Sequence, residues 1–243
     1  MIEVRHLRKN FNGTPAVQDV SFTVGEGENL ILLGTSGCGK TTTLRMINRL
    51  LEPDGGEVFF RGTNTRDLQP ETLRRQMGYV LQQTGLFPHY TVEENIAVVP
   101  KLEHWDKQRI HERTGALLAK LGLSRETHAH MFPHELSGGQ QQRVGLARAL
   151  AANPPVLLMD EPFGALDPVT RHRIRKDFAE LDEFREKTII MVTHDIHDAF
   201  TLGDRICLMD KGKIVQLGTP EELRSNPVNE FVSNFLKGQY EPQ

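Results

Sequence analysis

The chain has 243 residues, 38% hydrophobic and 25% charged, with a net charge of −3. This is ordinary globular usage, which excludes extensive disorder and argues against a strongly basic nucleic-acid binder. A chain this long buries a sizeable core without disulfides or structural metal, and its length predicts one large domain or a main body with a subdomain.

The two cysteines, Cys38 and Cys207, form no CxxC, so neither a disulfide framework nor a zinc site is expected. No apolar run approaches the ~18 residues of a membrane span. The N-terminal MIEVRHLRKNF has no apolar core of signal-peptide length. A soluble, cytosolic chain is expected, able to attach to a membrane protein.

In chain order, residues 2–7 and 17–24 read as strands, the second with near-alternating polarity. Residues 29–33 are almost wholly apolar and predict a buried central strand. A glycine-rich segment follows, then TLRMINRL with Leu44, Ile47 and Leu51 at helical spacing. Residues 57–61 and 77–82 are further strands. Between 86 and 134 the texture turns helical, with Ile110, Thr114, Leu117, Leu118 and Leu121 on one face and prolines at 88, 100 and 133.

Strand character returns at 155–160, 188–193 and 205–210, separated by helical runs, which predicts a mainly parallel sheet covered by helices. Asp167-Pro168 sets an N-cap before a proline at the first helical position. Thr219-Pro220-Glu221-Glu222 adds a capping-box glutamate. There are no internal repeats, and no appended domain is expected after Phe235.

Gly34-Thr35-Ser36-Gly37-Cys38-Gly39-Lys40-Thr41 fits GxxxxGK[ST] between a predicted strand and a helix. Glycines let such a loop wrap a phosphate chain with its N–H groups inward, and the helix adds its positive end. Lys40 would reach the β- and γ-phosphates, and Thr41 would hold Mg²⁺. The apolar run 156–159 ends in Asp160 and Glu161, placed to hold Mg²⁺ and to polarise an attacking water respectively.

His194 ends another apolar strand and is either a γ-phosphate contact or the neighbour of a helix cap. Leu136-Ser137-Gly138-Gly139-Gln140 opens a helical run and forms a second anion-binding helix end. A chain with two such ends suggests a nucleotide sandwiched between two copies. Cys38 reads as a space-filler, Met131-Phe132-Pro133-His134 as packing, and the basic run RHRIRK at 171–176 as a solvated face.

The ordered set (the loop at 34–41, Gln82, LSGGQ at 136–140, LLMDEP at 157–162, GALD at 164–167 and His194) resembles the ATP-binding cassette (ABC) proteins over essentially the whole chain. The resemblance implies an α/β P-loop NTPase. Its parallel core would span residues 1–85 and 155–243, with an N-terminal antiparallel β-subdomain and an inserted helical signature subdomain at approximately 86–154.

It implies an ATPase working as a head-to-tail homodimer with Mg²⁺. Lys40, Thr41, Thr42, Gln82, Asp160, Glu161 and His194 of one protomer would act with Ser137, Gly138, Gly139 and Gln140 of the other, and Asp167 would lie across the interface. Catalysis would rest on Glu161, His194, Gln82 and Lys40, and the metal on Thr41, Gln82 and Asp160. Phe11 would stack on adenine, and Val17 belongs to the same nucleotide-binding set.

Segments 43–50, 85–100, 161–171 and 230–236 are similar to cassettes of osmoprotectant importers, for glycine betaine, choline or related quaternary amines. That implies transmembrane permease subunits as partners, indirectly a substrate-binding protein, no nucleic acid, and a position at the inner face of the cell membrane. Many such cassettes carry C-terminal regulatory modules. This sequence ends at Gln243, so ionic-strength sensing through a module of that kind is not expected. A polar amino-acid or methionine importer is the alternative. A soluble cassette in translation or DNA repair is disfavoured, because neither a second cassette nor a heptad run appears.

Overall fold

A computed structural model describes residues 1–240, apart from 165, 181–183 and 185 and the side chains of 168, 170, 173, 179, 180, 239 and 240. Ala165 of the GALD motif and the Arg173 side chain of the basic run therefore lie outside the described residues. The chain divides into two units, Met1–Arg74 with Lys187–Gln243, and Arg75–Glu186. The helical subdomain drawn at 86–154 lies within the second, which also holds strands on either side of it.

The first unit opens with β1 (Ile2–Phe11) and β2 (Thr14–Val24), an antiparallel pair. Ile2, Val4 and Leu7 face Val17, Val20, Phe22 and Val24 in the core, the alternation of a sheet buried on one side. Next come β3 (Asn29–Gly34) and α1 (Lys40–Ile47), then β4 (Gly55–Phe60) and β5 (Thr63–Asn64). The first antiparallel sheet has the order β2-β1-β4-β5. α2 (Pro70–Arg75) leads out of this unit.

The second unit begins with β6 (Met77–Val80), followed by α3 (Val92–Ile96), α4 (Val98–Leu102), α5 (Lys107–Lys120), α6 (Arg125–His128) and α7 (Gly138–Leu150). It closes with β7 (Val156–Asp160) and α8 (Pro168–Glu180). β6 and β7 run parallel, with Val80 opposite Met159. Ile110, Thr114, Leu117 and Leu118 form the buried face of α5, as their spacing predicts. The basic run departs from the solvated face expected of it. Arg175 is only 6% exposed, because its place on the helix turns it inward with Ile174.

The first unit resumes at β8 (Thr188–Thr193), α9 (Ile196–Leu202), β9 (Arg205–Asp210), β10 (Lys213–Gly218), α10 (Pro220–Ser225) and α11 (Glu230–Tyr240). β3 is flanked by β8 and β9, both parallel to it, and every residue from Leu30 to Leu33 is buried. β10 pairs antiparallel with β9 and was not expected from the sequence. The Thr219–Glu222 capping box that starts α10 is present in full. Among the described residues no helix is long and apolar enough to cross a membrane.

Candidate active site

In the first unit β3 delivers the glycine-rich loop to the start of α1. Gly34 has φ +151°, and a Cβ there would stand 2.1 Å from the Met209 carbonyl oxygen on β9. Gly39 has φ +102°, and its Cβ would stand 2.4 Å from Ala16 O. Glycine is therefore required at both positions by space as well as by backbone.

Lys40 is only 5% exposed, and its Nζ donates to Gly34 O and Thr35 O, both at 2.8 Å, with Cys38 Sγ at 3.7 Å. Thr43 Oγ1 donates to Gly39 O at 2.9 Å and secures the first turn. Gly212 N donates to Cys38 O at 3.0 Å, tying the loop to the β9–β10 turn. A preformed concave loop with a buried ammonium suits a polyphosphate. Thr35, Ser36 and Gly37 are exposed on it, while Thr41 and Thr42 are half-buried.

Cys38 is a buried free thiol, and burial raises its pKa against the pull of Lys40, as a space-filling role requires. Val17 is buried, with Cγ2 3.3 Å from where a Gly39 Cβ would stand, so it supports the loop from beneath. Phe11 is 47% exposed at the end of β1, with Lys9 Nζ 5.7 Å from its ring centroid.

The register pairs Leu33 with Thr193, which brings His194 beside Gly34 at the ends of β3 and β8. His194 is exposed. The cap of α9 is Asp195, whose carboxylate accepts from His197 N and Asp198 N. Capping is thus done by Asp195, and His194 stands beside it.

In the second unit β7 ends in Asp160, only 3% exposed, and then turns sharply. Glu161 has φ 46°, a left-handed conformation that costs about 1–3 kcal/mol for a non-glycine residue. Gln82, just beyond the parallel strand β6, donates from Nε2 to Glu161 Oε2 at 3.1 Å. This unit therefore joins Gln82 to Glu161 by a direct bond and sets Asp160 next in the chain.

The segment after Gln82 is held by two residues the sequence reading did not single out. Arg148 of α7 donates to Gly85 O at 2.7 Å and Thr84 O at 2.8 Å. Asn95 is fully buried and donates to the Phe87, Tyr90 and Thr91 carbonyls, while its Oδ1 accepts from Phe87 N. These anchors leave Phe87 and Tyr90 42% and 41% exposed, with ring centroids 5.2 Å apart.

Ser137 caps α7 in a full capping box: its Oγ accepts from Gln140 N, and Gln140 Oε1 accepts from Ser137 N at 2.8 Å. Ser137 and Gly138 are exposed and Gly139 half-buried, so the helix end is open to an anion. Phe132 is 37% exposed and stacks on His134, rather than packing inward as the sequence suggested. Asp167 is exposed ahead of α8, its carbonyl accepting from Arg171 N at 2.8 Å.

Residues 17–164 match the family profile described as ABC transporter. The chain is 51% identical, over 97% of its length, to the osmoprotectant import ATP-binding protein OsmV of Salmonella typhimurium, and spans 63% of that protein, under two thirds. It is also 51% identical to the glycine betaine uptake system ATP-binding protein YehX of Escherichia coli, covering 97% of this chain and 76% of that one. Among solved structures, the ATP-binding cassette MJ0796, a dimer in a post-hydrolysis state bound to ADP and Pi, superposes with TM-score 0.80 at 33% identity. That match covers 90% of this chain and 98% of the other.

Proposed function

Since the chain belongs to the ABC transporter family, we propose that it is the ATP-hydrolysing subunit of an importer for osmoprotectants such as glycine betaine, choline or related quaternary amines. The observation that carries the ATPase reading is the glycine-rich loop with its buried Lys40, built where no Cβ fits at Gly34 or Gly39. The osmoprotectant reading is supported by the names of relatives about half identical over nearly all of this chain.

On this reading Lys40 exchanges the Gly34 and Thr35 carbonyls for phosphate oxygens, and the N–H groups of 37–41 hold the same charge. Glu161 takes the proton of the attacking water, Gln82 keeps its carboxylate oriented, and His194 contacts the γ-phosphate. The Thr41 hydroxyl, the Asp160 carboxylate and the Gln82 carbonyl are all oxygen donors, the ligand type that suits Mg²⁺, and would be the groups to hold it. When bound, Mg²⁺ supplies charge neutralisation on the phosphates. Ser137, Gly138, Gly139 and Gln140 meet the nucleotide held by a second copy, whereas Phe11 stacks on the adenine of the nucleotide held by its own loop. Asp167 completes the interface.

A mixing experiment tests this arrangement. A Lys40→Ala protomer and a Gly139→Asp protomer are each expected to be nearly inactive alone. Together they form heterodimers with one intact composite site, and ATPase activity partly returns. Heterodimers that form without any recovery would remove either the head-to-tail arrangement or turnover by a single intact site.

We further propose that the segment around Phe87 and Tyr90 docks the permease subunit, which would hold the chain at the inner face of the membrane. An exposed aromatic pair on a firmly anchored loop is a ready contact for a partner helix. Charged substitutions at both rings are expected to abolish copurification with the permease in detergent while leaving ATP affinity within about twofold. Unchanged copurification by the folded variant would end this assignment.

A further inference from the structure

His128, the last residue of α6, is not among the residues that the ATPase reading uses. Its backbone N–H donates to Ser124 O at 2.9 Å, and its ring Nδ1 lies 2.9 Å from the same oxygen. Its other ring nitrogen, Nε2, lies 3.1 Å from Gln140 Nε2. Gln140 Oε1 in turn accepts from Ser137 N at 2.8 Å.

The donor and acceptor roles along this chain have one consistent assignment. A carbonyl oxygen only accepts, so Nδ1 carries the proton. Nε2 of the neutral ring is then an acceptor and takes a hydrogen from the Gln140 amide. That orientation leaves the amide oxygen facing Ser137 N, where an acceptor is needed. All three links are satisfied at once.

We propose that His128 is a positioning residue for the signature loop: its neutral Nδ1–H tautomer fixes the Gln140 amide and, through it, the N-terminus of α7 at 137–139. The inference rests on the ATPase reading for its functional consequence but not for its geometry.

Protonation breaks the arrangement in a way a simple side-chain flip does not repair. The imidazolium presents N–H at Nε2 to the Gln140 NH₂, donor against donor. Rotating the amide relieves that contact but turns its NH₂ onto the Ser137 N–H, a second donor pair. The ring then releases the Gln140 amide and leaves the side-chain half of the capping box unsupported, while the Ser137 Oγ–Gln140 N half persists, loosening the helix end that carries Ser137 and the two glycines.

Charged groups on the surrounding elements are engaged with one another. Arg125 of α6 pairs with Glu93 of α3 at 2.7 Å and also contacts His111 of α5. Arg143 of α7 pairs with Asp177 of α8 at 3.0 Å. Glu126 accepts from Ser124 Oγ at 2.8 Å, and Glu135 from Phe132 N at 2.6 Å. His130 and His134 are exposed.

The full chain labelled with ¹⁵N tests the geometry without nucleotide. The His128 ring is expected as the Nδ1–H tautomer at pH 8. On acidification the Ser137 amide and the Gln140 side-chain amide should shift with the same midpoint as the ring. An Nε2–H tautomer, or a Ser137 amide that stays still while His128 titrates, overturns the proposal.

Turnover provides the second readout. His128→Leu removes the acceptor and should lower ATPase turnover about three- to tenfold at pH 8, the size of a lost helix cap. His128→Gln offers an amide oxygen near the Nε2 position and should stay within about twofold of wild type at pH 8. Wild-type turnover in a folded Leu variant overturns the positioning role. If no form hydrolyses ATP, wild type included, the ATPase reading fails, and the resonances still decide the role of His128.

Discussion

Glu161→Gln is expected to bind ATP with nearly unchanged affinity while turnover falls ~10²-fold or more, the usual loss when a general base is removed. The amide keeps the length and shape of the carboxylate but accepts no proton from water. It also keeps its neighbour: with its oxygen turned toward Gln82 Nε2, it preserves the 3.1 Å bond made by the wild-type side chain. The left-handed backbone at φ 46° is equally strained for either residue, so little change in folding stability accompanies the chemical loss. Phosphate release, titration with a fluorescent ATP analogue and gel filtration with ATP check the three parts. A stalled, ATP-loaded dimer should accumulate, and near-normal phosphate release would exclude Glu161 as the base.

Gly34→Ala should act on the fold itself, costing ~3 kcal/mol or more. The added methyl would stand 2.1 Å from Met209 O and 2.9 Å from Cys38 Sγ. Met209 is the strand residue paired with Gly34, so its carbonyl retreats only if β9 separates from β3. Gly62→Ala provides the comparison. Gly62 also has positive φ, at +80°, but its Cβ would meet nothing within 4 Å, so only backbone strain of about 1 kcal/mol remains. Thermal melts should separate the two, with Gly34→Ala lower by roughly 4–8 °C for a chain of this size. Equal melting temperatures would mean that the close approach to β9 is unimportant.

The parts of this molecule legible in the sequence are those set by local pattern. The unbroken apolar run at 29–33 announced β3, and the Thr219–Glu222 box announced α10. The phosphate loop was readable because its glycines must recur at fixed positions for the backbone to turn, and LSGGQ because paired glycines stood at a helix start. What stayed hidden depends on contacts between distant residues or on faces. Arg148 looks like any helix arginine until its guanidinium is seen on two carbonyls 63 and 64 residues earlier in the chain. Asn95 gives no signal apart from following Thr91, whose cap aims α3 so that the amide reaches three carbonyls. Phe132 looked like core because aromatic rings usually are, yet its position beside a surface turn leaves it stacked on His134 in solvent. β10 escaped because most of its apolar residues are only half-buried on an edge strand, which blurs the alternation that marks a strand.

The burial of both sulfurs has a practical use. Cys207 is wholly enclosed and its thiol is pushed up to about 12, while Cys38 lies beneath the loop with its own thiol raised by burial. At neutral pH Cys207 is thus held as the unreactive thiol. A single cysteine introduced on the surface, at a position such as Lys211 or Val228, would therefore carry a maleimide dye almost alone, with the native sequence left intact. Two such dyes, one on each copy of an assembling pair, would turn closure and reopening into a distance signal readable in real time.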